Sequence, residues 1–301
     1  MKVLVTGCYG FLGYSFCKRL LGAGHTVYGI DRLVNSKSDK AARVADLSGN
    51  LNFNYVECDI SDHVSVVKVF RKAYPDTVVH FAAQYSLPHD TDLIQRYVDS
   101  NLRGFLNVIE NAKLHKAKRF VYASSYLADE KEQPWSMYSI SKRFGEDIAR
   151  MYSYNFGMET VGLRYASVFG PFCRNDCAPA MLYRAIKEKK PIHLKGRQLL
   201  KTPFLDVDDA VDLTYSLMLA EMPRDYNLFL LEADDFRYNL YDVAMAMMGA
   251  MGEKTTIVTE PFEQYVHPHD EDAMRSVEMM ANMIPRYKVK DTIRRFVEWN
   301  R

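Results

Sequence analysis

Lys2-Val3-Leu4-Val5-Thr6-Gly7-Cys8-Tyr9-Gly10-Phe11-Leu12-Gly13 opens the chain and decides how the rest is read. Lys2 to Thr6 is a short apolar run, β-branched enough for a buried strand. Leu12, Phe16, Leu20 and Leu21 then share one face of a helix. The three glycines therefore fall in a strand-to-helix turn. Gly7 allows the tight turn, Gly10 lets the backbone approach a pyrophosphate, and Gly13 lets the helix pack closely on the strand. The helix N-terminus adds amide donors and the positive end of a dipole. A turn of this kind holds a dinucleotide.

The next strand, Thr26 to Ile30, ends at Asp31. A carboxylate there accepts hydrogen bonds from a ribose diol and repels a 2′-phosphate, which favours NAD over NADP. Arg32 is the competing signal, since it would attract that phosphate. Asp59, closing a strand from Phe53 to Cys58, reads either as an acceptor for the adenine amine or as a helix cap before Ser61-Asp62. Alternation continues with strands at 77–81, 119–123 and 159–164 and helices at about 92–114 and 137–155. Short parallel strands with helical crossovers predict an α/β fold, a doubly wound parallel Rossmann sheet with a smaller C-terminal substrate-binding lobe. The expected division is 1–165 for the NAD-binding domain, with segments near 204–222 returning to it, and 166–301 for the substrate lobe, with a cleft at the carboxyl ends of the strands.

Composition sets bounds on function. The chain has 301 residues, 48% of them hydrophobic, enough for a large core. A formal charge of +1 gives no general attraction to nucleic acid or membrane. No apolar run is long enough to span a bilayer and no leader is evident, so a cytoplasmic location is expected. The five cysteines, at 8, 17, 58, 173 and 177, suit reduced thiols. Cys173 and Cys177 lie four apart and could touch. His267-Pro268-His269-Asp270 reads as a solvated loop rather than a metal site, and no metal is expected.

The chemistry lies at Ser125, Tyr138 and Lys142. Tyr138 and Lys142 are four apart on a helix and share a face. A free phenol, with a pKa of about 10, is a poor base at neutral pH. A nearby ammonium and an oxidised nicotinamide both favour the phenolate. It could then take a proton from a substrate hydroxyl as hydride leaves the same carbon. Ser125, at the end of the neighbouring strand, would hydrogen-bond the same oxygen.

With these segments in place, the chain resembles the extended short-chain dehydrogenases/reductases, the NAD-dependent sugar-nucleotide epimerase and dehydratase group, over nearly its whole length. His80-Phe81-Ala82-Ala83-Gln84, Asn101-Leu102-Arg103-Gly104, Leu163-Arg164-Tyr165 through Pro171, and Arg294 to Trp299 carry the rest of the likeness. Within the group it is most similar to the 4-epimerases of UDP-glucuronate. The resemblance implies transient oxidation at C4 of a nucleoside-diphosphate sugar by tightly held NAD, with return of the hydride to the other face of the ketone. It implies cofactor contacts at Phe11, Leu12, Ile60, Phe81, Ala82, Ala83, Gln84, Asn101, Ser124 and Tyr165 beside Gly7, Gly10, Gly13, Asp31, Tyr138 and Lys142. For the substrate it implies Ser86, Ser125, Tyr126, Ser167, Arg197, Lys201 and Arg275. It also implies a homodimer formed by the helices at 92–114 and 137–155, where Tyr97, Phe105, Phe144 and Met151 look surplus to one internal face.

Three features depart from the family pattern. Only 13 positions separate Ser125 from Tyr138, fewer than is usual. The stretch Gln84 to Pro88 is also abbreviated. Lys201-Thr202-Pro203 stands where relatives place a phosphate-binding arginine, leaving that task to Lys201 or Arg197. Tyr126-Leu127 after Ser125 lacks the Asp-Glu pair of the dehydratases, which sets water elimination aside. The alternatives to epimerisation are net oxidoreduction of a sugar nucleotide or related carbonyl, and a non-catalytic dinucleotide-binding protein.

Overall fold

The computed structural model describes residues 1–32, 38–85, 92–129, 136–233, 237–260 and 285–301. In chain order the elements are β1 (Lys2–Thr6), α1 (Phe11–Gly22), β2 (Thr26–Asp31), α2 (Ser38–Ser48), β3 (Phe53–Glu57), α3 (His63–Ala73), β4 (Thr77–His80), α4 (Asp92–Tyr97), α5 (Gly104–Leu114), β5 (Arg119–Ser125), α6 (Met137–Phe156) and β6 (Glu159–Tyr165). There follow β7 (Ser167–Phe169), α7 (Ala178–Lys187), β8 (Ile192–Lys195), β9 (Phe204–Asp206), α8 (Val207–Leu219), β10 (Tyr226–Leu231), α9 (Leu240–Met251), β11 (Ile257–Glu260) and α10 (Val289–Trp299). Contacts divide the chain into a first unit, Met1–Arg164 with Thr214–Leu230, and a second, Tyr165–Leu213 with Leu231–Arg301. The returning segment starts later than 204, because β9 pairs with β7 in a two-stranded sheet of the second unit.

The first unit is built on a seven-stranded sheet of order β10-β6-β5-β4-β1-β2-β3. The β1–β2, β2–β3, β1–β4 and β4–β5 pairs are parallel. Strand order reverses between β1 and β4, which is the doubly wound arrangement, and ligands of such sheets sit at that crevice. β10 adds an edge strand that periodicity did not reveal. On one face Phe70, Val108, Ile109, Phe120 and Tyr122 form the core, with Phe105 edge-on to Phe120 at 5.6 Å and to Tyr122 at 5.5 Å. Each such ring is worth about 1.5–3 kcal/mol when fully buried.

The helix expected at 92–114 is interrupted. Val98–Arg103 winds as a π-helix between α4 and α5, and it contains Asn101. Tyr97 and Phe105, read as surplus apolar residues for a dimer, are buried in this chain's own core. Among the described residues, the apolar side chains that stay exposed on these helices are Ile94, Leu114, Ile140, Met151, Tyr154 and Phe156, while Phe144 is half-buried.

The second unit pairs β8 with β11 and β7 with β9, both parallel. Phe169, Phe204, Tyr183 and Phe296 pack edge to face around the inner side of α10. Arg295 donates to Asp206 Oδ2 at 2.6 Å and also to Asp208, and its guanidinium lies over the Tyr287 ring. Arg286 similarly joins Asp209 and Asp212. Among the described residues no helix is long and apolar enough to cross a membrane.

Candidate active site

The glycine turn closes as its sequence requires. Gly7 has φ +72°, donates to Ile30 O at 2.7 Å, and accepts from the Gly10 amide at 2.8 Å. A Cβ at Gly7 would stand 2.8 Å from the Ala82 amide nitrogen, and one at Gly13 only 2.0 Å from Gly7 O. Both positions thus exclude any side chain. Gly10 caps α1 without a side-chain acceptor, and the first turn has no acidic residue. The amides of Phe11, Leu12 and Gly13 have no carbonyl one turn earlier and are presented to an anion.

Thr6 ties this turn to the end of β4. Its hydroxyl accepts from the Ala82 amide at 3.1 Å and bonds His80 Nδ1 at 2.9 Å. His80 is buried, and burial with the Lys142 charge pulls its pKa down to about 3, so it stays neutral. Phe81 packs on Phe16 at 5.5 Å. Ala83 is exposed. Gln84 is clamped by Asn101, whose Oδ1 accepts from the Gln84 amide at 2.6 Å and whose Nδ2 donates to Gln84 O at 3.1 Å. The same Nδ2 reaches Ser141 Oγ on α6 at 2.9 Å. A π-turn is a common device for turning a functional side chain inward, and here it points Asn101 at the backbone after β4.

Asp31 ends β2 with its carboxylate largely shielded. One oxygen accepts from the Tyr9 amide at 3.0 Å and the other from Lys40 Nζ at 2.9 Å. A carboxylate offers about four lone-pair positions, which leaves capacity for a diol. Lys40 gave no sequence signal, because it reaches Asp31 from a separate element. Arg32 is exposed and paired with Asp59 at 3.2 Å. Asp59 accepts from the Ser61 amide and hydroxyl. Burial opposes its ionisation, but Ser61 and Arg32 hold its carboxyl below the ordinary value. The cap of α3 is Asp62, which accepts from the Val64 amide. The Ile60 side chain is buried, and its carbonyl accepts from Asn107 at 2.9 Å.

Ser125, Tyr138 and Lys142 come together at the ends of β5 and α6. Ser136 starts α6 with a capping box closed by Ser139, which fixes Tyr138 in the first turn. Ser125 is the neighbour that favours the phenolate of Tyr138, and its Oγ accepts from the Leu127 amide at 3.2 Å. Lys142 Nζ donates to Ala123 O at 2.8 Å and lies 5.6 Å from the centre of the Tyr138 ring. Burial pulls the Lys142 ammonium down to about 8, with Glu146 opposing. Burial and the neighbouring Tyr85 push the Tyr138 phenol up, against the effect of Ser125. The expectation that Lys142 lowers the phenol is therefore not met in the chain alone, because its ammonium is turned to a backbone carbonyl and desolvation dominates.

Alternate residues of a strand face opposite sides, and the two serines show it. Ser125 meets Tyr138, while Ser124 Oγ donates to Glu146 Oε1 at 2.5 Å. The Ser124 hydroxyl thus gives its hydrogen to Glu146, and its oxygen keeps lone pairs that can accept. Glu146 is gripped bidentately by Arg164 at 2.8 Å on both oxygens, and Arg164 also holds Asp129 at 2.8 Å. Sequence reading missed this network, although Glu146 is four residues past Lys142, the same step that links Lys142 to Tyr138. It also missed Tyr85, whose ring stands edge-on to Tyr138 at 5.0 Å and 89°.

Tyr126 is half-buried in a short 3₁₀ turn after β5, and Tyr165 is buried at the end of β6. In the second unit Ser167 begins β7, and Lys201 is exposed just before the bridge between Thr202 and Tyr238. The Arg197 backbone lies in a 3₁₀ turn. Ser86, Arg275 and His267 to Asp270 lie outside the described residues. No cluster with metal-ligand chemistry occurs among the described residues.

The sequence profile of the NAD dependent epimerase/dehydratase family matches residues 3–228. An uncharacterized 37.6 kDa protein in the cld 5′ region of Escherichia coli O111:H- is 30% identical over 340 aligned positions, covering 100% of this chain and 98% of that protein. A probable UDP-glucuronate 4-epimerase of Rhizobium meliloti is 27% identical, over 99% of this chain and 96% of its own. The crystal structure of UDP-glucuronic acid 4-epimerase from Bacillus cereus, in complex with UDP-glucuronic acid and NAD, superposes with a TM-score of 0.84 at 23% identity, covering 99% of this chain and 98% of that one. By the profile match and the full-length relative, the chain belongs to the NAD dependent epimerase/dehydratase family.

Proposed function

We propose that this chain is an NAD-dependent epimerase of a nucleoside-diphosphate sugar, inverting C4 by transient oxidation. The observation that carries the reading is the assembly of Ser125, Tyr138 and Lys142 in the same unit as the Gly7–Gly13 turn and Asp31. The first unit fits NAD. The first-turn amides of α1 suit the pyrophosphate, the Asp31 carboxylate suits the ribose diol, and Lys142 suits the nicotinamide ribose. Held by these residues, NAD would supply the acceptor and later the donor of the hydride.

The chain's own residues manage the proton. The Ser125 hydroxyl bonds the O4 oxygen of the sugar and orients it towards Tyr138. The phenol oxygen takes the O4 proton as the C4–H bond breaks and gives it back when the ketone is reduced. For this Tyr138 must ionise, so the Lys142 ammonium has to leave Ala123 O or act across the ring face. Tyr126 and, in the second unit, Ser167, Arg197 and Lys201 are the candidates for holding the sugar and its phosphates, with Ser86 and Arg275. We assign the chain to a homodimer through the exposed apolar residues of α5 and α6, such as Leu114, Met151 and Tyr154, and to the cytoplasm.

The test begins with the purified protein. Denaturation should release about one NAD per chain, and incubation with UDP-glucuronate and neutral UDP-hexoses should convert one of them to its C4 epimer without net NADH. Steady accumulation of NADH would replace epimerase with oxidoreductase. Failure to bind either dinucleotide would remove the reading altogether. Sedimentation at micromolar concentration should give twice the chain mass, and a monomer would return those side chains to ordinary surface.

A further inference from the structure

The five cysteines fall into two groups, and none is bridged. Cys8, Cys17 and Cys58 are buried in the first unit. Burial pushes all three thiols up, Cys58 to about 11 and the other two further, so they react slowly. Cys173 and Cys177 lie in the second unit, in the turn between β7 and α7. There the Cys173 amide donates to Gly170 O and the Cys177 amide to Arg174 O, both at 3.1 Å. These two bonds fold the segment back on itself and bring the Sγ atoms to 3.1 Å from each other. A disulfide has its sulfurs at about 2.05 Å, so the pair needs to close by only about 1 Å.

The two thiols are not equivalent. Cys173 is buried, whereas Cys177 is half-buried and caps the N-terminus of the ten-residue helix α7. A hydrogen bond from Cys173 holds the Cys177 thiol below its ordinary value despite burial, with the Ala180 amide and Arg174 assisting. Cys177 is thus the thiolate former and Cys173 the neighbour within reach of it.

We propose that Cys173 and Cys177 form a dithiol oxidation site that takes small hydroperoxides and closes to an intramolecular disulfide. Attack by the Cys177 thiolate breaks the peroxide O–O bond, forming an S–OH on Cys177 and releasing water or alcohol. Cys173 then attacks Cys177 Sγ, the S–S bond forms as the S–O bond breaks, and the hydroxyl leaves as water with the Cys173 proton. Two thiols are oxidised by two electrons and one peroxide is reduced. A small oxidant suits the site because Cys177, the sulfur that meets it, is only half-exposed. The bridge would fix the turn that joins β7 to α7. This inference does not rest on the proposed epimerase activity.

The experiment treats the full chain, reduced and desalted, with a few equivalents of hydrogen peroxide, then blocks thiols with N-ethylmaleimide. The intact mass before blocking should fall by about 2 Da, and two fewer adducts should form. Trypsin cuts after Arg174, between the two cysteines, so the product should be peptide 165–174 joined to peptide 175–184. Dithiothreitol should separate them. Cys173→Ser should stop at a sulfenic acid on Cys177, a gain of about 16 Da trapped by dimedone, and Cys177→Ser should leave Cys173 unmodified at the same dose. Circular dichroism checks that the variants fold; if either does not, the linked peptide from the unmutated chain decides. Oxidation first at Cys8, Cys17 or Cys58, or a Cys177 sulfinic acid with no linked peptide, would overturn the proposal.

Discussion

Among the described residues, Lys142 of the first unit has one carbonyl, Ala123 O at 2.8 Å, for its ammonium, whereas Arg295 of the second unit is held between Asp206 and Asp208. Both cations are partly buried, yet they respond in opposite directions. Burial wins at Lys142 and pulls its pKa down to about 8. At Arg295 burial is outweighed by the two carboxylates, and the guanidinium is held above its ordinary value. A lysine also surrenders its proton more readily than an arginine. The first unit thus keeps a cation against its preference where chemistry is proposed, and the second meets the preference of one that holds helix α10 to β9. Strain of the first kind points to function, and satisfaction of the second kind points to structure.

Mutation should separate the two. Tyr138→Phe, beside Lys142, is expected to lower epimerase turnover by about 10²–10⁴-fold, the range for removing a positioned acid–base group. Dinucleotide affinity and melting temperature should hardly move. Retention of more than a tenth of the activity would remove Tyr138 from the chemistry and weaken the contrast. Arg295→Ala should act in the opposite sense. It leaves Asp206 buried without its main partner, and breaking such a pair costs about 3–5 kcal/mol. Urea unfolding should report that loss. A cost below 1 kcal/mol would mean that the ion pair is no more structural than the Lys142 contact.

The same contrast explains what could be read in advance. The first unit announces itself because strand length, glycine spacing and a carboxylate at the end of β2 are local properties, and each forces a local conformation. Gly13 was legible since no other residue fits 2.0 Å from Gly7 O. The four-residue step from Tyr138 to Lys142 was legible because helix geometry alone puts them together. What escaped depends on long-range closure. Glu146 meets Arg164 only after β6 lies beside β5, Arg295 meets Asp206 across 89 residues, and β10 joins an edge after the second unit has intervened. The π-turn at Asn101 escaped for another reason: it keeps the apolar spacing of a helix while adding one residue to a turn.

Gly13→Ala would sharpen the comparison within the first unit. Its Cβ would meet the Gly7 carbonyl, a backbone group that cannot move without opening the turn. Overpacking of this kind costs about 1–3 kcal/mol, and NAD affinity should fall together with stability, as calorimetric titration and thermal melts would show. An unchanged melting temperature would mean that the first unit is not organised by its glycine turn.

The smallest expected effect bears on Lys142 most directly. Its folded-state pKa, about 8, is below the value of about 10.4 for an unfolded lysine. Between those two pH values the unfolded chain binds a proton that the folded chain has released, so stability rises with pH. Below pH 8 both states are charged, and the cost of burying the ammonium is constant. Lys142→Met removes the titration while keeping an unbranched side chain of similar length. Relative to that variant, the unmutated chain should gain about 1–2 kcal/mol between pH 7.5 and 10, a figure reduced from the full shift because the side chain is only half-buried. Parallel urea titrations of the two proteins across that range would measure it, and taking the difference removes the contribution of every other group. A flat difference would mean that the ammonium is as content as Arg295, and that nothing in the first unit holds it in readiness for a phenolate.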